Sequence, residues 1–246
     1  MSEQRDKNLW IFNAGNSFAG NPKWMFEYII RHHKEIKPVW MCYNADTMNY
    51  VHKLGYEAEL YHSSKGKSVM AKAGVYVVEM CKEVFQPELT GITVLNLWHG
   101  VGCKSIERKV TDGFLQERIA KKYIQNNDIL RNNQLFLVTS EIMEKHFKEQ
   151  CGIDDDKVIR AGYPRCVVND NIQSYDHDIR KKKGLSANTK LAIYCPTYRD
   201  NNGANFMKSA LPDMKRLAEV LHENNILLIL KMHPLVEKDT QYLAMK

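Results

Sequence analysis

The 246-residue sequence has no paired cysteines, no long apolar run and no phosphate-loop signature, and each absence removes a class of protein. Its six cysteines (Cys42, Cys81, Cys103, Cys151, Cys166, Cys195) are scattered, with no Cys-x-x-Cys spacing. That pattern supports neither a zinc site nor a disulfide framework, and fits reduced thiols in a cytosolic protein. Met1 to Asn8 is polar and charged, unlike a secretory leader. No apolar run approaches the roughly 20 residues that a membrane-spanning helix needs. Tyr61-His62-Ser63-Ser64 and Lys65-Gly66-Lys67 lack the Walker spacing and read as a polar loop. No acidic cluster resembles a metal site, so no metal is expected. Solenoid repeats and low-complexity tracts are also missing.

What is present is a chain with 44% hydrophobic residues, enough for a real core in one or two domains. A net charge of +6 suits an anionic partner such as a nucleotide, a polyphosphate, nucleic acid or a lipid headgroup. Charge alone fits a merely soluble basic protein equally well.

Strands and helices alternate along the chain. Leu9 to Phe12 reads as a strand. Asn21 then offers a helix N-cap, with Pro22 at the first helical position. Met25, Phe26, Ile29 and Ile30 have the spacing of a buried helix face up to about His33. Further strands are predicted at Val39–Tyr43, Val75–Glu79, Ile92–Trp98, Leu135–Thr139 and Val158–Arg160. Helices are predicted at Leu115–Gln125 and Glu141–Gln150, the second stopped at Gly152. The polar stretch Asn169–Ser186, with Lys181-Lys182-Lys183, reads as a linker and a helix start. A second unit follows with strands Leu191–Cys195 and Ile226–Met232 around a helix near Met207–His222. This alternation predicts an α/β fold with a parallel sheet covered on both faces. Two domains are expected, 1–170 and 171–246. The second has too few strands to stand as an independent parallel domain.

Four segments place reactive residues just after a strand. They are Trp98-His99-Gly100 with Lys104 close behind, Gly162-Tyr163-Pro164-Arg165, Pro196-Thr197-Tyr198-Arg199-Asp200, and Lys231-Met232-His233-Pro234. Ligands of open α/β sheets bind outside the carboxyl ends of the strands, so two such units direct all four loops at a common cleft. Arginine forks hold phosphate oxygens in pairs, and a histidine can take a proton from an attacking hydroxyl. That inventory suits a phosphate-bearing substrate. Each residue alone has a plainer role open to it: loop histidine, surface ion-pair arginine, or turn.

In this order the four segments resemble the motifs of the CDP-glycerol glycerophosphotransferases of teichoic acid and capsule synthesis. Asn21-Pro22 leading into a helix with Tyr28 is similar to that family's N-terminal segment. The resemblance runs from about Leu9 to Pro234. It implies a B-type glycosyltransferase architecture, with an N-terminal acceptor-side Rossmann-like domain and an incomplete C-terminal donor-side one. The implied reaction moves glycerol phosphate or ribitol phosphate from a CDP-alditol to a hydroxyl of a polymer or its lipid-linked primer. CMP leaves, and no cofactor is needed.

By the same resemblance, His99 is the general base, and His233 contacts the donor phosphates and stabilises charge at the reacting phosphorus. Thr197 and Arg199 line the donor side. Gly100, Lys104, Gly162, Tyr163, Pro164, Arg165, Asp200 and Pro234 complete the implied substrate-binding set. An anionic membrane surface at the inner face of the plasma membrane is the implied setting, met by basic side chains near Lys121 and Lys181. Nucleic acid is not an implied partner. Val101-Gly102-Cys103 replaces the Thr-Pro-Leu of many members, while Lys104 is kept. The family's later Asp-Tyr-Ser-Ser type segment has no counterpart. Two other readings stay open from the sequence: a nucleotide-sugar glycosyltransferase of the same fold, and a non-catalytic module binding anionic polymer or membrane.

Overall fold

The computed structural model describes residues 5–80, 86–113, 115–127, 134–166, 179–196 and 209–232. The chain divides into two compact units, Met1–Asn171 and Ile172–Lys246. In the first unit the elements run β1 (Asp6–Asn13), α1 (Gly20–His32), β2 (Lys37–Cys42), α2 (Ala45–Lys53), β3 (Ala58–Leu60), α3 (Ser64–Lys72) and β4 (Ala73–Val78). They continue through β5 (Thr93–Asn96), α4 (Leu115–Gln125), β6 (Gln134–Val138), α5 (Glu141–Cys151) and β7 (Val158–Arg160).

All seven strands are parallel, in the order β3-β2-β1-β4-β5-β6-β7. Alternation along each strand sends neighbouring side chains to opposite faces. Ile11, Met41 and Tyr76 pack with Met70 of α3 on one face. Phe12, Trp40 and Val77 pack with Phe26 and Ile29 of α1 and Val51 of α2 on the other. Phe26 meets Phe12 and Trp40 edge-on, at centroid distances of 5.2 and 5.6 Å. Burying each such side chain contributes about 1.5–3 kcal/mol. A third cluster gathers Trp98, Phe136, Val138 and Phe147 beneath α5.

The order places the topological switch point between β1 and β4, because the chain moves outward to β2 and β3 and then returns to the other side of β1. Crevices at such points are where open α/β sheets bind ligands.

Three local expectations are corrected. Helix α1 starts at Gly20 with Ala19 as its cap, so Asn21 is not the N-cap but a fully buried residue inside the first turn. Of the stretch expected to be a polar loop at Tyr61–Lys67, residues 61–63 are a turn, but residues 64–67 already form the start of α3. The Ser63 hydroxyl accepts the Gly66 N–H at 2.9 Å and caps the helix. Gly66 is required there, since a Cβ would lie 2.0 Å from the Leu60 carbonyl oxygen. The strand expected over Ile92–Trp98 is shorter, and Leu97 and Trp98 already belong to the loop.

The second unit, among its described residues, holds α6 (Ile179–Lys183), β8 (Lys190–Tyr194), α7 (Met214–Glu223) and β9 (Ile226–Leu230). β8 and β9 pair in parallel, with α7 in the crossover. The Asp213 carboxylate caps α7 by accepting the Arg216 N–H at 2.8 Å. Of the helix expected near Met207–His222, Ser209 and Ala210 are helical, a short break follows, and α7 runs from Met214, while Met207 itself lies outside the described residues.

Candidate active site at the carboxyl edge of the first sheet

His99 stands three residues beyond β5, next to the switch point. The backbone leading to it is strained. Trp98 has φ +50, a left-handed conformation that bulky side chains rarely adopt. Both of its main-chain polar groups are engaged by asparagine side chains. Its N–H donates to Asn96 Oδ1 at 3.0 Å, and its carbonyl accepts from Asn21 Nδ2 at 2.8 Å. Asn96 is steadied in turn by donating to Gln134 Oε1 at 2.9 Å. The Trp98 indole packs on Phe136 and Phe147, and the His99 ring stacks on it with centroids 4.5 Å apart.

The loop after β7 closes over the same point. The Arg165 guanidinium donates to the His99 carbonyl, and the Tyr163 hydroxyl donates to the Gly100 carbonyl at 2.7 Å. Arg165 also lies over the Tyr163 ring, 5.7 Å from its centroid. Gly100 has φ +156, and a Cβ there would be 3.5 Å from the Arg165 guanidinium. Pro164 opens the short 3-10 turn Pro164–Cys166 that carries the exposed Arg165. Gly162 faces open space, with no atom within 4 Å of a Cβ built on it. Further along, the Gly102 N–H points at Met143 Sδ at 3.2 Å, and the Ile106 N–H donates to Gln150 Oε1 at 2.8 Å. Lys104 is exposed on this loop, and no hydrogen bond or ion pair joins it to His99 among the described residues.

Electrostatics favour a neutral imidazole. His99 is exposed at its outer edge, yet the desolvation of its inner side holds it below the ordinary histidine value and the Arg165 charge adds to that, while the Glu79 carbonyl and the Glu107 carboxylate oppose it. A general base must be unprotonated to work, so this direction suits proton abstraction near neutral pH. Glu79, at the carboxyl end of β4, is shifted the other way: burial raises it, against the Asn21 N–H and Arg165. Its carboxylate accepts that N–H at 2.7 Å, in the first turn of α1. Gly20 leaves the room, since a Cβ there would sit 1.8 Å from Glu79 Oε1. An internal carboxylate thus occupies the helix N-terminus where many such sheets hold an anion.

The structure therefore brings together His99, Gly100, Tyr163, Pro164 and Arg165, and adds Asn21, Glu79, Asn96 and Trp98, which the sequence did not single out as site residues. Glu79 carried a usable signal, a carboxylate at the predicted end of a strand. His233, Pro234, Thr197, Arg199 and Asp200 lie outside the described residues. Among the described residues, no group of three or more His, Cys, Asp or Glu is placed to hold a metal ion.

The family model described as CDP-Glycerol:Poly(glycerophosphate) glycerophosphotransferase matches residues 1–245. The chain belongs to that family. It is 24% identical over 242 residues to the teichoic acid poly(glycerol phosphate) polymerase of Bacillus subtilis (strain 168), covering 92% of this chain and 31% of that protein. Among solved structures it resembles the wall teichoic acid polymerase TagF, with a TM-score of 0.71 and 18% identity over 95% of this chain and 58% of that one. A histidine-to-asparagine variant of TagF soaked with CDPG matches at a TM-score of 0.68 and 18% identity, over 97% of this chain and 59% of that one. The chain thus spans about a third of the length of the first curated relative. The fold of the family is the expected α/β fold of B-type glycosyltransferase architecture.

Proposed function

We propose that this chain carries the acceptor-side machinery for transferring glycerol phosphate, or ribitol phosphate, from a CDP-alditol to a hydroxyl of a teichoic-acid-like or capsular polymer or its lipid-linked primer. The observation that carries the reading is His99, an exposed histidine stacked on the buried Trp98 at the carboxyl edge of a parallel sheet, in a chain of this family. In the reaction, His99 takes the proton of the acceptor hydroxyl as its oxygen attacks the phosphorus bearing the alditol. The bond from that phosphorus to the CMP oxygen breaks, CMP leaves with the electron pair, and the proton passes from His99 to solvent.

Phosphoryl transfer needs positioning and charge neutralisation more than covalent chemistry. Arg165 and Lys104 supply positive charge on the acceptor side. The donor-side roles of His233, Thr197, Arg199, Asp200 and Pro234 rest on the match of their motifs to the family. The relatives' names support the polymer and the soaked TagF variant supports the donor, and both enter here as the reading of this chain.

The proposal extends to a peripheral position on the inner face of the plasma membrane. Arg118, Lys121 and Ile124 are exposed on α4, and α6 carries Arg180, Lys181, Lys182 and Lys183. Each basic side chain near an anionic bilayer contributes about 1 kcal/mol. No helix among the described residues is long and apolar enough to cross a membrane.

The test is CMP release from CDP-glycerol and from CDP-ribitol with a glycerophosphate-primed lipid acceptor. It is run on the chain alone and supplemented with the C-terminal segment of a relative. Release with either donor supports the proposal, and no release in any combination refutes it.

A further inference from the structure

We infer that Asn21 is a positioning residue for His99: its amide clamps the left-handed Trp98 turn to helix α1 and to the loop after β7. The inference deepens the proposed acceptor-side reading and rests on it for the identity of the base.

Asn21 is fully buried, and every hydrogen-bonding group it carries toward the site is engaged. Its main-chain N–H donates to the Glu79 carboxylate at 2.7 Å, at the end of β4. Side-chain Nδ2 donates to the Trp98 carbonyl at 2.8 Å, at the end of β5. Oδ1 accepts the Arg165 N–H at 3.4 Å, beyond β7. One residue therefore bridges three segments that are far apart in sequence and meet only at this sheet edge.

The bridge matters because of what it holds. A tryptophan at φ +50 returns to ordinary backbone angles unless its surroundings over-determine it. Asn96 holds its N–H and Asn21 its carbonyl, while the ring is wedged against Phe136 and Phe147. The next residue is His99, whose ring lies nearly flat on that indole with an interplanar angle of 27°. Fixing Trp98 thus fixes the direction of the imidazole. An amide suits this position because it donates to one main-chain segment and accepts from another, which neither a carboxylate nor an aliphatic side chain does.

The charged and titratable groups facing His99 are Glu79 from β4, Glu107 from the loop beyond Gly102, and Arg165 from the β7 loop. If the clamp is released, the exposed His99 ring loses its stack on the Trp98 indole, and its midpoint rises toward the ordinary value of about 6.5. Asn21→Ala removes the clamp without adding charge. The experiment follows the His99 imidazole by NMR titration of the 246-residue chain, its resonance identified by its loss in His99→Ala. No substrate is required. The expected result is an upward shift of that midpoint in Asn21→Ala. In the CMP-release assay, kcat is expected to fall roughly 10–100-fold, the scale of a displaced catalytic group, with KM for CDP-glycerol within about twofold. If Asn21→Ala does not fold, Asn21→Ser, with a shorter donor, is expected to move both readouts in the same directions. A folded variant whose His99 midpoint stays at the wild-type value overturns the clamp. Absence of CMP release by the wild-type chain overturns the functional reading alone, because the titration still decides the role of Asn21.

Discussion

The loop that carries His99 is anchored at its far end by an ion pair between Glu107 and Lys122 of α4, and replacing Lys122 by methionine probes that anchor. The Lys122 ammonium lies 2.9 and 2.8 Å from the two Glu107 oxygens. The two side chains are only 7% and 9% exposed. Methionine keeps most of the apolar stem, so packing changes little. What is lost is the partner of a carboxylate that stays buried, and breaking a buried pair from one side costs about 3–5 kcal/mol. For a folding unit of this size, 1 kcal/mol moves the midpoint by about 2–4 °C, so Tm falls by about 6–20 °C. Glu107→Gln combined with Lys122→Met removes the stranded charge and recovers at least half of that loss. Thermal unfolding by circular dichroism measures all three proteins. Adding salt to about 0.5 M, which shortens the Debye length to roughly half its physiological value, weakens exposed pairs but leaves this buried difference in place. A Tm within about 2 °C of wild type for Lys122→Met refutes the reasoning, since the pair would then be solvated.

Three further outcomes follow from the same geometry. His99 is held below its unfolded value, so the unfolded chain takes up the proton first as pH falls. This group's contribution to stability is present above the ordinary value of about 6.5 and is lost as pH drops below it. The acid limb of kcat/KM is expected below pH ~6.5, and a limb above pH ~7 contradicts the shift. Gly20→Ala combines a left-handed φ of +68 with a Cβ 1.8 Å from Glu79 Oε1, whereas Gly55→Ala has φ +81 but open space around it. Urea unfolding is expected to show a loss of roughly 3 kcal/mol for the first and about 1 kcal/mol for the second, and equal losses contradict the Glu79 contact. Thiol labelling of the native chain is expected to modify the exposed Cys103, Cys166 and Cys195 and to spare Cys42. Burial and the nearby Glu59 push the Cys42 thiol up to about 12, so it reacts only on unfolding.

Strands β1, β2, β4, β5, β6 and β7 and helices α1, α4 and α5 were legible as short apolar runs and helical spacing, whereas α2 and β3 read only as a mixed segment. Leu115–Gln125 matches its predicted limits, and Gly152 takes the left-handed C-cap of α5. Helix α3 was not legible. Ser63-Ser64-Lys65-Gly66-Lys67 has the composition of a turn, and the cause of its helicity is a cap plus a close approach to the Leu60 carbonyl that only the fold creates. Asn21-Pro22 resembled a capping pair, but Gly20 starts the helix earlier because its left-handed φ turns the chain around the Glu79 carboxylate. That displacement moved an asparagine from the helix cap into the buried first turn, beside the site. His99 itself was legible from its place after a strand. The left-handed turn that aims it was not, since nothing in Leu97-Trp98-His99 marks a tryptophan for φ +50.

The proposed role of His99 as the base that activates the acceptor hydroxyl is tested most directly by CMP release from CDP-glycerol in the presence of the primed lipid acceptor, comparing wild type with His99→Ala at equal folded concentration. A loss of roughly 100-fold or more in kcat, with donor binding retained, is the predicted result. Undiminished CMP release by His99→Ala contradicts it.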